Sequence, residues 1–208
     1  MVNKTKVIDH IPVTKKWIAL TFDIGNGYKT PYPILRVLQK HRVTRSTFFL
    51  SAPWVIEHPK LARRIRTLGY EIGSHGYLHE NYTEHSNRWI IKEVKKAEKA
   101  IHAITTVKCQ LIRTPNGDLN KRVAGLLASL GYRTIHWSVD SLDWSNPGVQ
   151  TIIRNATLGA KPGDIVLLHA SDTAKQTAQA LPGIIEYYRA KGFKFVTVTD
   201  LLNASSTK

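Results

Sequence analysis

The sequence is poor in sulfur and in acidic residues, and it has no long apolar run. Its 208 residues include one cysteine, Cys109, which excludes an intrachain disulfide framework, a cysteine-based zinc finger and an iron–sulfur cluster held by one chain. No apolar run approaches the ~20 residues that a membrane-spanning helix needs. The N-terminus does not match a signal peptide, because Asp9, His10 and Pro12 interrupt any apolar core. We therefore expect a cytoplasmic protein, or the mature or trimmed form of an exported one.

Two common catalytic signatures are also missing. The sequence has no Gly-x-Ser-x-Gly elbow, which argues against a serine esterase, and no Walker loop for nucleotide phosphates. Cys109 lies inside a predicted strand, where packing explains it better than a role as a nucleophile.

Basic residues outnumber acidic ones two to one. Thirty Lys and Arg stand against fifteen Asp and Glu, so the formal net charge is +15. A field of this sign attracts polyanions such as nucleic acid, an anionic cell wall or a membrane surface, and a merely solvated surface is the alternative. The basic residues are spread along the chain without a helix-turn-helix, an RNA-binding motif or a zinc finger. We expect an anionic polymer surface as a partner, and no nucleic acid.

Short apolar runs alternate with longer segments of helical period over most of the chain. Hydrophobic residues make up 42% of the sequence and charged residues 22%, as in an ordinary globular domain. The predicted strands are Trp17–Phe22, Thr47–Leu50, Tyr70–Gly73, Cys109–Ile112, Arg133–Trp137, Asp164–Leu168 and Phe193–Thr197. The predicted helices are Tyr32–Lys40, Trp54–Leu68, Arg88–Ile104, Lys121–Leu130, Val149–Leu158, Ala174–Ala190 and a short one near Leu201.

This alternation predicts a parallel sheet with helices outside it. Periodicity alone does not separate a barrel from an open doubly wound sheet. Polar residues that follow the strands favour the barrel, whose functional side chains lie past the carboxyl ends of its strands. The predicted fold is therefore a single α/β domain, a distorted (β/α)7 barrel similar to a TIM barrel. Its core would span about residues 17–202 after an N-terminal extension over 1–16, and we expect a monomer.

Ionisable side chains follow the ends of several predicted strands. Asp23 is a candidate base or metal ligand, although a turn-forming aspartate is the plainer explanation. His75 and His79 are four residues apart, so both rings can reach one cation if the segment turns helically; two solvated loop histidines are the alternative. His169 ends an apolar run and is a candidate general acid, or else a core histidine satisfied by hydrogen bonds.

A second set of polar residues follows two other strands. Arg113 can orient a carboxylate, and the turn Asp140–Asp143 offers one beside the aromatic Trp144. The turn after Arg113, which contains Gly117, can present a backbone N–H to an oxyanion, although a plain turn explains it equally well. Because the strands are parallel, we expect both sets of side chains at the same end of the barrel.

These segments, taken in order, resemble the motifs of the polysaccharide deacetylases, which are carbohydrate esterase family four or the NodB-homology domain. The matching segments are Thr21–Gly25, His75–His79, Arg113–Asn116, Asp140–Trp144 and Leu167–His169. Single motifs are modest, but five in register are specific. The residues around Arg113 and His169 look most like the sporulation-associated, PdaB-like branch of the family.

The resemblance implies hydrolysis of N-acetyl groups of amino-sugar polymers such as peptidoglycan or a chitin-like glycan, with a metal-bound water as nucleophile. It implies a divalent metal, usually zinc, with cobalt or nickel also possible. The implied roles are Asp23 as base, His169 as acid, Arg113 and Asp143 as their orienting partners, His75 and His79 as metal ligands, the backbone N–H of Asn116 as oxyanion donor, and Trp144 and Leu167 as walls of the acetyl pocket.

Three positions depart from the family pattern. Ile24 replaces a second aspartate that ligates the metal, and an alkyl group cannot coordinate, although Asn26 could supply an amide oxygen. Asn116 replaces an aromatic residue, and Gly76 replaces a serine or threonine. The sequence therefore predicts a functional but weaker metal site. The alternative is a barrel that binds cell-wall glycan without turnover; either function places the protein outside the membrane, at the wall.

Overall fold

A computed structural model describes residues 7–205. The strands are β1 Trp17–Ile24, β2 Thr47–Leu50, β3 Glu71–Ser74, β4 Leu111–Ile112, β5 Arg133–Thr134, β6 Val139–Asp140, β7 Ile165–His169 and β8 Lys194–Phe195. The α-helices are α1 Pro31–Lys40, α2 Ala52–Glu57, α3 Pro59–Thr67, α4 Asn87–Thr105, α5 Lys121–Ser129, α6 Val149–Thr157, α7 Thr177–Ala190 and α8 Val198–Ser205. None of these helices is long and apolar enough to cross a membrane.

The strands form one parallel sheet that curls into a partial barrel. Their order is β5-β4-β3-β2-β1-β7-β6, and β8 pairs with the start of β1. The central strand β1 is almost wholly buried, as expected where helices cover the outside and side chains fill the inside. Strands β5 and β6 follow each other in the chain but lie at opposite edges of the sheet, so residues 135–138 cross the open side. The predicted single-domain α/β barrel class is confirmed.

Two predicted elements are wrong in detail. The predicted helix Trp54–Leu68 is two helices, because Pro59 disfavours helical backbone at the residue before it, and His58 adopts φ −122° and ψ 55°. The predicted strand Arg133–Trp137 is the short β5, and β6 follows it as an additional strand at the other sheet edge. The described residues therefore contain eight strands, not seven.

The described part of the predicted N-terminal extension packs against the barrel. Ile8 pairs with Ile135, and His10 pairs with Asp164. Ile8 and Ile11 are buried in a small apolar cluster on this side of the sheet. Residues 1–6 of that extension lie outside the described residues.

Candidate active site

A cleft of about 690 Å³ opens at the carboxyl ends of the strands. Eight of the residues predicted from the sequence line it: Asp23, Asn26, His75, His79, Asn116, Trp144, Leu167 and His169. Arg113 and Asp143, the two predicted orienting residues, are fully buried. The parallel sheet thus brings together side chains that are up to 146 positions apart, because every strand ends at the same rim.

Asp23, near the end of β1, is held by a buried arginine. Nη1 of Arg113 donates to Oδ1 of Asp23 at 2.8 Å, and Nε2 of His75 lies 3.9 Å from Oδ2. Burial by itself raises the pKa of the Asp23 carboxyl, but the charge and hydrogen bond of Arg113, together with the charge of His169, outweigh it, and the pKa lies below its usual value. Asp23 is therefore ionised at neutral pH, and Arg113 leaves its Oδ2 free to accept a proton.

Arg113 is fixed by contacts on every side. Besides Asp23, its guanidinium donates to the hydroxyl of Thr21 and to the backbone carbonyls of Ile135 and His136. The ring of Phe49 lies 4.3 Å from the guanidinium carbon. The sequence offered the Asp140–Asp143 turn as its partner, and this expectation is wrong. The carboxylate of β1 takes that place, since Arg113 points across the inside of the barrel.

Asp143 instead pairs with His169, the last residue of β7. Its Oδ1 lies 2.7 Å from Nδ1 of His169, and its Oδ2 accepts the backbone N–H of His169 and the hydroxyl of Thr177. Burial lowers the pKa of His169, but the hydrogen bond and the charge of Asp143 outweigh it, so the pKa is raised. The bond to Nδ1 leaves Nε2 as the ring atom that can exchange a proton with a ligand in the cleft.

His75 and His79 face each other across one wall of the cleft. Their ring centroids are 5.4 Å apart. Nδ1 of His75 lies 2.9 Å from the carbonyl oxygen of Arg113, to which it donates, so its Nε2 carries a free lone pair. Burial lowers the pKa of His75 to about 4, and its imidazole is therefore neutral at physiological pH. Neutral imidazoles with an oriented ring are suited to bind a cation.

These residues do not complete the usual catalytic zinc site. Such sites have three protein ligands, and in residues 7–205 no three His, Cys, Asp or Glu side chains converge to hold a metal ion. Ile24 is fully buried in the apolar core. Asn26 is exposed on the rim of the cleft. Among His, Cys, Asp and Glu, the donor set is therefore two imidazoles, and a third protein ligand would have to be of another type, such as the amide oxygen of Asn26.

The turn after β4 forms a further wall. Asn116 has φ +58°, a left-handed conformation that asparagine tolerates, and its side-chain amide donates to Oδ1 of Asn81 at 3.0 Å. Gly117 has φ +64°, and a Cβ there would lie 2.6 Å from the ring of Trp137. Glycine is thus required where the turn packs on that ring. Trp144 also lines the cleft and is 54% exposed.

The structure adds two residues to the site. Trp137 lies beyond the end of β5 and lines the cleft. Glu93 is a buried acid on α4, and its carboxylate accepts the backbone N–H groups of Tyr77 and Leu78, between the two histidines. A signal for Glu93 was available, because it sits on the apolar face of an amphipathic helix, where an unpaired acid is costly.

Known proteins share both the sequence and the fold. The family profile described as Polysaccharide deacetylase matches residues 10–135. PgdA of Listeria monocytogenes, a peptidoglycan-N-acetylglucosamine deacetylase, is 34% identical over 188 residues, which cover 90% of this chain and 39% of PgdA. A peptidoglycan-N-acetylglucosamine deacetylase of Bacillus cereus is 33% identical over 195 residues, covering 92% of this chain and 91% of that protein.

A solved structure of similar fold comes from a protein described as a pseudoenzyme. This protein, the CE4 family pseudoenzyme BA3943 of Bacillus anthracis, superposes with a TM-score of 0.88 at 30% identity, covering 95% of this chain and 69% of that one. A mutant of it is described as having restored enzymatic activity. These matches do not single out the sporulation-associated branch, which stays a prediction. They and the profile show that the chain belongs to the polysaccharide deacetylase family.

Proposed function

We propose that the chain is an N-deacetylase that removes acetyl groups from an amino-sugar polymer of the cell wall. One observation carries the proposal: two oppositely tuned pairs, Asp23 with Arg113 and His169 with Asp143, face the same cleft. A carboxylate with a lowered pKa is ionised at neutral pH and can accept a proton, and an imidazole with a raised pKa is more readily protonated and can donate one.

The proposed reaction assigns one proton transfer to each pair. Asp23 accepts a proton at Oδ2 from a water that attacks the acetyl carbonyl carbon. The C–N bond then breaks, and Nε2 of protonated His169 gives its proton to the departing amine. The products are acetate and a free amino sugar. Arg113 and Asp143 act by orientation, since each holds one catalytic group by a charged hydrogen bond of 2.7–2.8 Å.

The polymer would lie along the aromatic side of the cleft. Trp144 is exposed at the rim, where an apolar ring can stack on a sugar face. Leu167 is a buried apolar side chain that lines the cleft, and it would contact the methyl group of the acetyl substituent. Asn116 leaves its part of the cleft wall more open than an aromatic residue would, so we expect the cleft to accept sugars that carry substituents.

Members of this family are metal-dependent in general. We propose that this chain binds a divalent cation through His75 and His79, with Asn26 as a third donor. Zinc is the cation that we expect. Affinity should be weak, since Ile24 supplies no ligand. Because such a substrate lies outside the membrane, we propose that the protein acts there.

A second candidate function is glycan binding without turnover. The buried Ile24 and the lack of a third His, Cys, Asp or Glu ligand among residues 7–205 favour it, as does the similar fold of a protein described as a pseudoenzyme. The cleft and its exposed Trp144 would then serve recognition alone.

To distinguish the two candidates, acetate release from an N-acetylglucosamine hexamer is measured with and without about 10 µM added zinc. The deacetylase should release acetate, and Asp23→Asn should lose at least ~100-fold of the rate while it still binds the hexamer. Binding without acetate release by the unchanged protein would establish the second candidate.

A further inference from the structure

The outer face of α4 carries a line of uncompensated cations. Arg88, Lys92, Lys95 and Lys99, here named the α4 ridge, are all exposed. Their spacing of four, three and four residues keeps them within an arc of roughly 60° at 100° per residue, over a length of about 16 Å. The opposite face of the helix is buried in the core through Ile90, Val94, Ala97 and Ile101.

The acids of α4 do not neutralise this line. Glu93 points inward to the backbone of the His75–His79 segment, and Glu98 accepts a hydrogen bond from the hydroxyl of Tyr132 at 3.0 Å. In the part of the chain that the structure describes, no ridge residue takes part in an ion pair. The ridge is therefore a row of four positive charges free to meet an external anion.

The position of the ridge links it to the cleft. The segment before α4 reaches the cleft wall, where Asn81 accepts the side-chain amide of Asn116. Ser86 caps α4 by accepting the N–H of Trp89, so the helix begins a few residues after Asn81 in the chain. No large exposed apolar side chain of the described residues belongs to α4, so the ridge offers no anchor for insertion into a lipid surface.

We propose that the α4 ridge binds a linear polyanion of phosphodiester repeats that accompanies the glycan in the wall. This choice of partner rests on the proposed function; the ridge itself rests on charge and geometry. A row of cations on one straight face complements a linear chain of phosphates, and each contact releases a counterion. Binding there would hold the wall beside the cleft and raise the local concentration of N-acetyl groups.

The test uses the whole chain and poly(glycerol phosphate) as the probe, with neutral dextran as the control polymer. The triple variant Lys92→Gln, Lys95→Gln and Lys99→Gln removes three ridge charges. A matched variant, Lys40→Gln, Lys161→Gln and Lys194→Gln, removes three exposed charges elsewhere. Glutamine and lysine have similar helix propensities, and urea unfolding checks that both variants are folded.

The ridge variant should lose at least tenfold affinity for poly(glycerol phosphate) at 50 mM salt, and the matched variant less than twofold. The slope of log affinity against log salt is negative, and its magnitude should decrease by about 2, from three lost contacts at ~0.7 each. Equal losses in both variants would overturn the proposal, as would tighter ridge-dependent binding to a DNA duplex or an anionic vesicle. Acetate release from the neutral hexamer should be unchanged in the ridge variant, so failure of the deacetylase function would be seen separately.

Discussion

Replacing Arg113 by methionine should leave the carboxylate of Asp23 buried without its counter-charge. Removing one partner of a buried ion pair costs about 3–5 kcal/mol of the free energy of unfolding, because the remaining charge stays desolvated. Methionine fits the slot beside Phe49 and Trp137, so little of the loss should come from packing. At roughly 2–4 °C per kcal/mol for a chain of this size, the melting temperature should fall by about 6–20 °C.

The pH dependence identifies the source of this loss. In the unchanged protein the folded-state pKa of Asp23 is lowered, so its contribution to stability is present above the unfolded-state pKa of about 3.9 and is lost as pH falls through the folded value. In Arg113→Met the burial of Asp23 raises its pKa instead, and protonation then relieves the penalty. The stability difference between the two proteins should therefore shrink between pH 7 and pH 4.

The assay is urea unfolding at pH 7 and at pH 4, monitored by circular dichroism. The double variant Arg113→Met with Asp23→Leu removes the orphaned charge and should regain part of the lost stability. If Arg113→Met proves too unstable to purify, Arg113→Lys keeps the charge without the planar fork and should show a smaller loss. A loss below about 1 kcal/mol that does not change with pH would refute the assignment of a buried ion pair.

Three other changes test the parts of the site separately. Asp143→Asn should lower the pKa of His169, since it removes the charge that raises it, and NMR titration of the ring would show this; an unmoved pKa would contradict the pairing. Glu93→Ala should cost about 2–4 kcal/mol in urea unfolding by orphaning two backbone N–H groups, and Glu93→Gln less, because one oxygen still accepts; equal losses would argue against the hydrogen bonds. Ile24→Asp should destabilise the protein by several kcal/mol, because it buries a carboxylate. Added cobalt should restore part of the lost stability and should bind this variant more tightly than the unchanged protein. Unchanged cobalt affinity would mean that position 24 does not face the cation.

The sequence was sufficient to predict where functional groups lie relative to the fold. Asp23, His75 and His169 each follow a short apolar run, and strict alternation of strands and helices implies that all such runs end at one rim. The structure places all three at the cleft. Hydrophobic period and strand direction are local properties of the chain, which is why this part of the prediction succeeded.

Pairings across the barrel were not predictable in the same way. Several carboxylates follow strand ends, and each could pair with Arg113 as far as the sequence shows. Only the curvature of the sheet determines that Asp23 is the carboxylate beside Arg113. The break at Pro59 had a clear signal, since proline restricts the residue before it. Strands β5 and β6 contain two residues each, too few to show a period of two. They are defined by their hydrogen bonds to β4 and β7, which the sequence of the short strands does not reveal.

In the proposed reaction, Asp23 and His169 act as base and acid on one N-acetyl group. The most direct measurement is kcat/KM for acetate release from the N-acetylglucosamine hexamer as a function of pH. We expect a bell-shaped profile whose acid limb lies below the ordinary Asp value of about 3.9 and whose basic limb lies above the ordinary His value of about 6.5. Acetate release no greater than that of Asp23→Asn at every pH would contradict it.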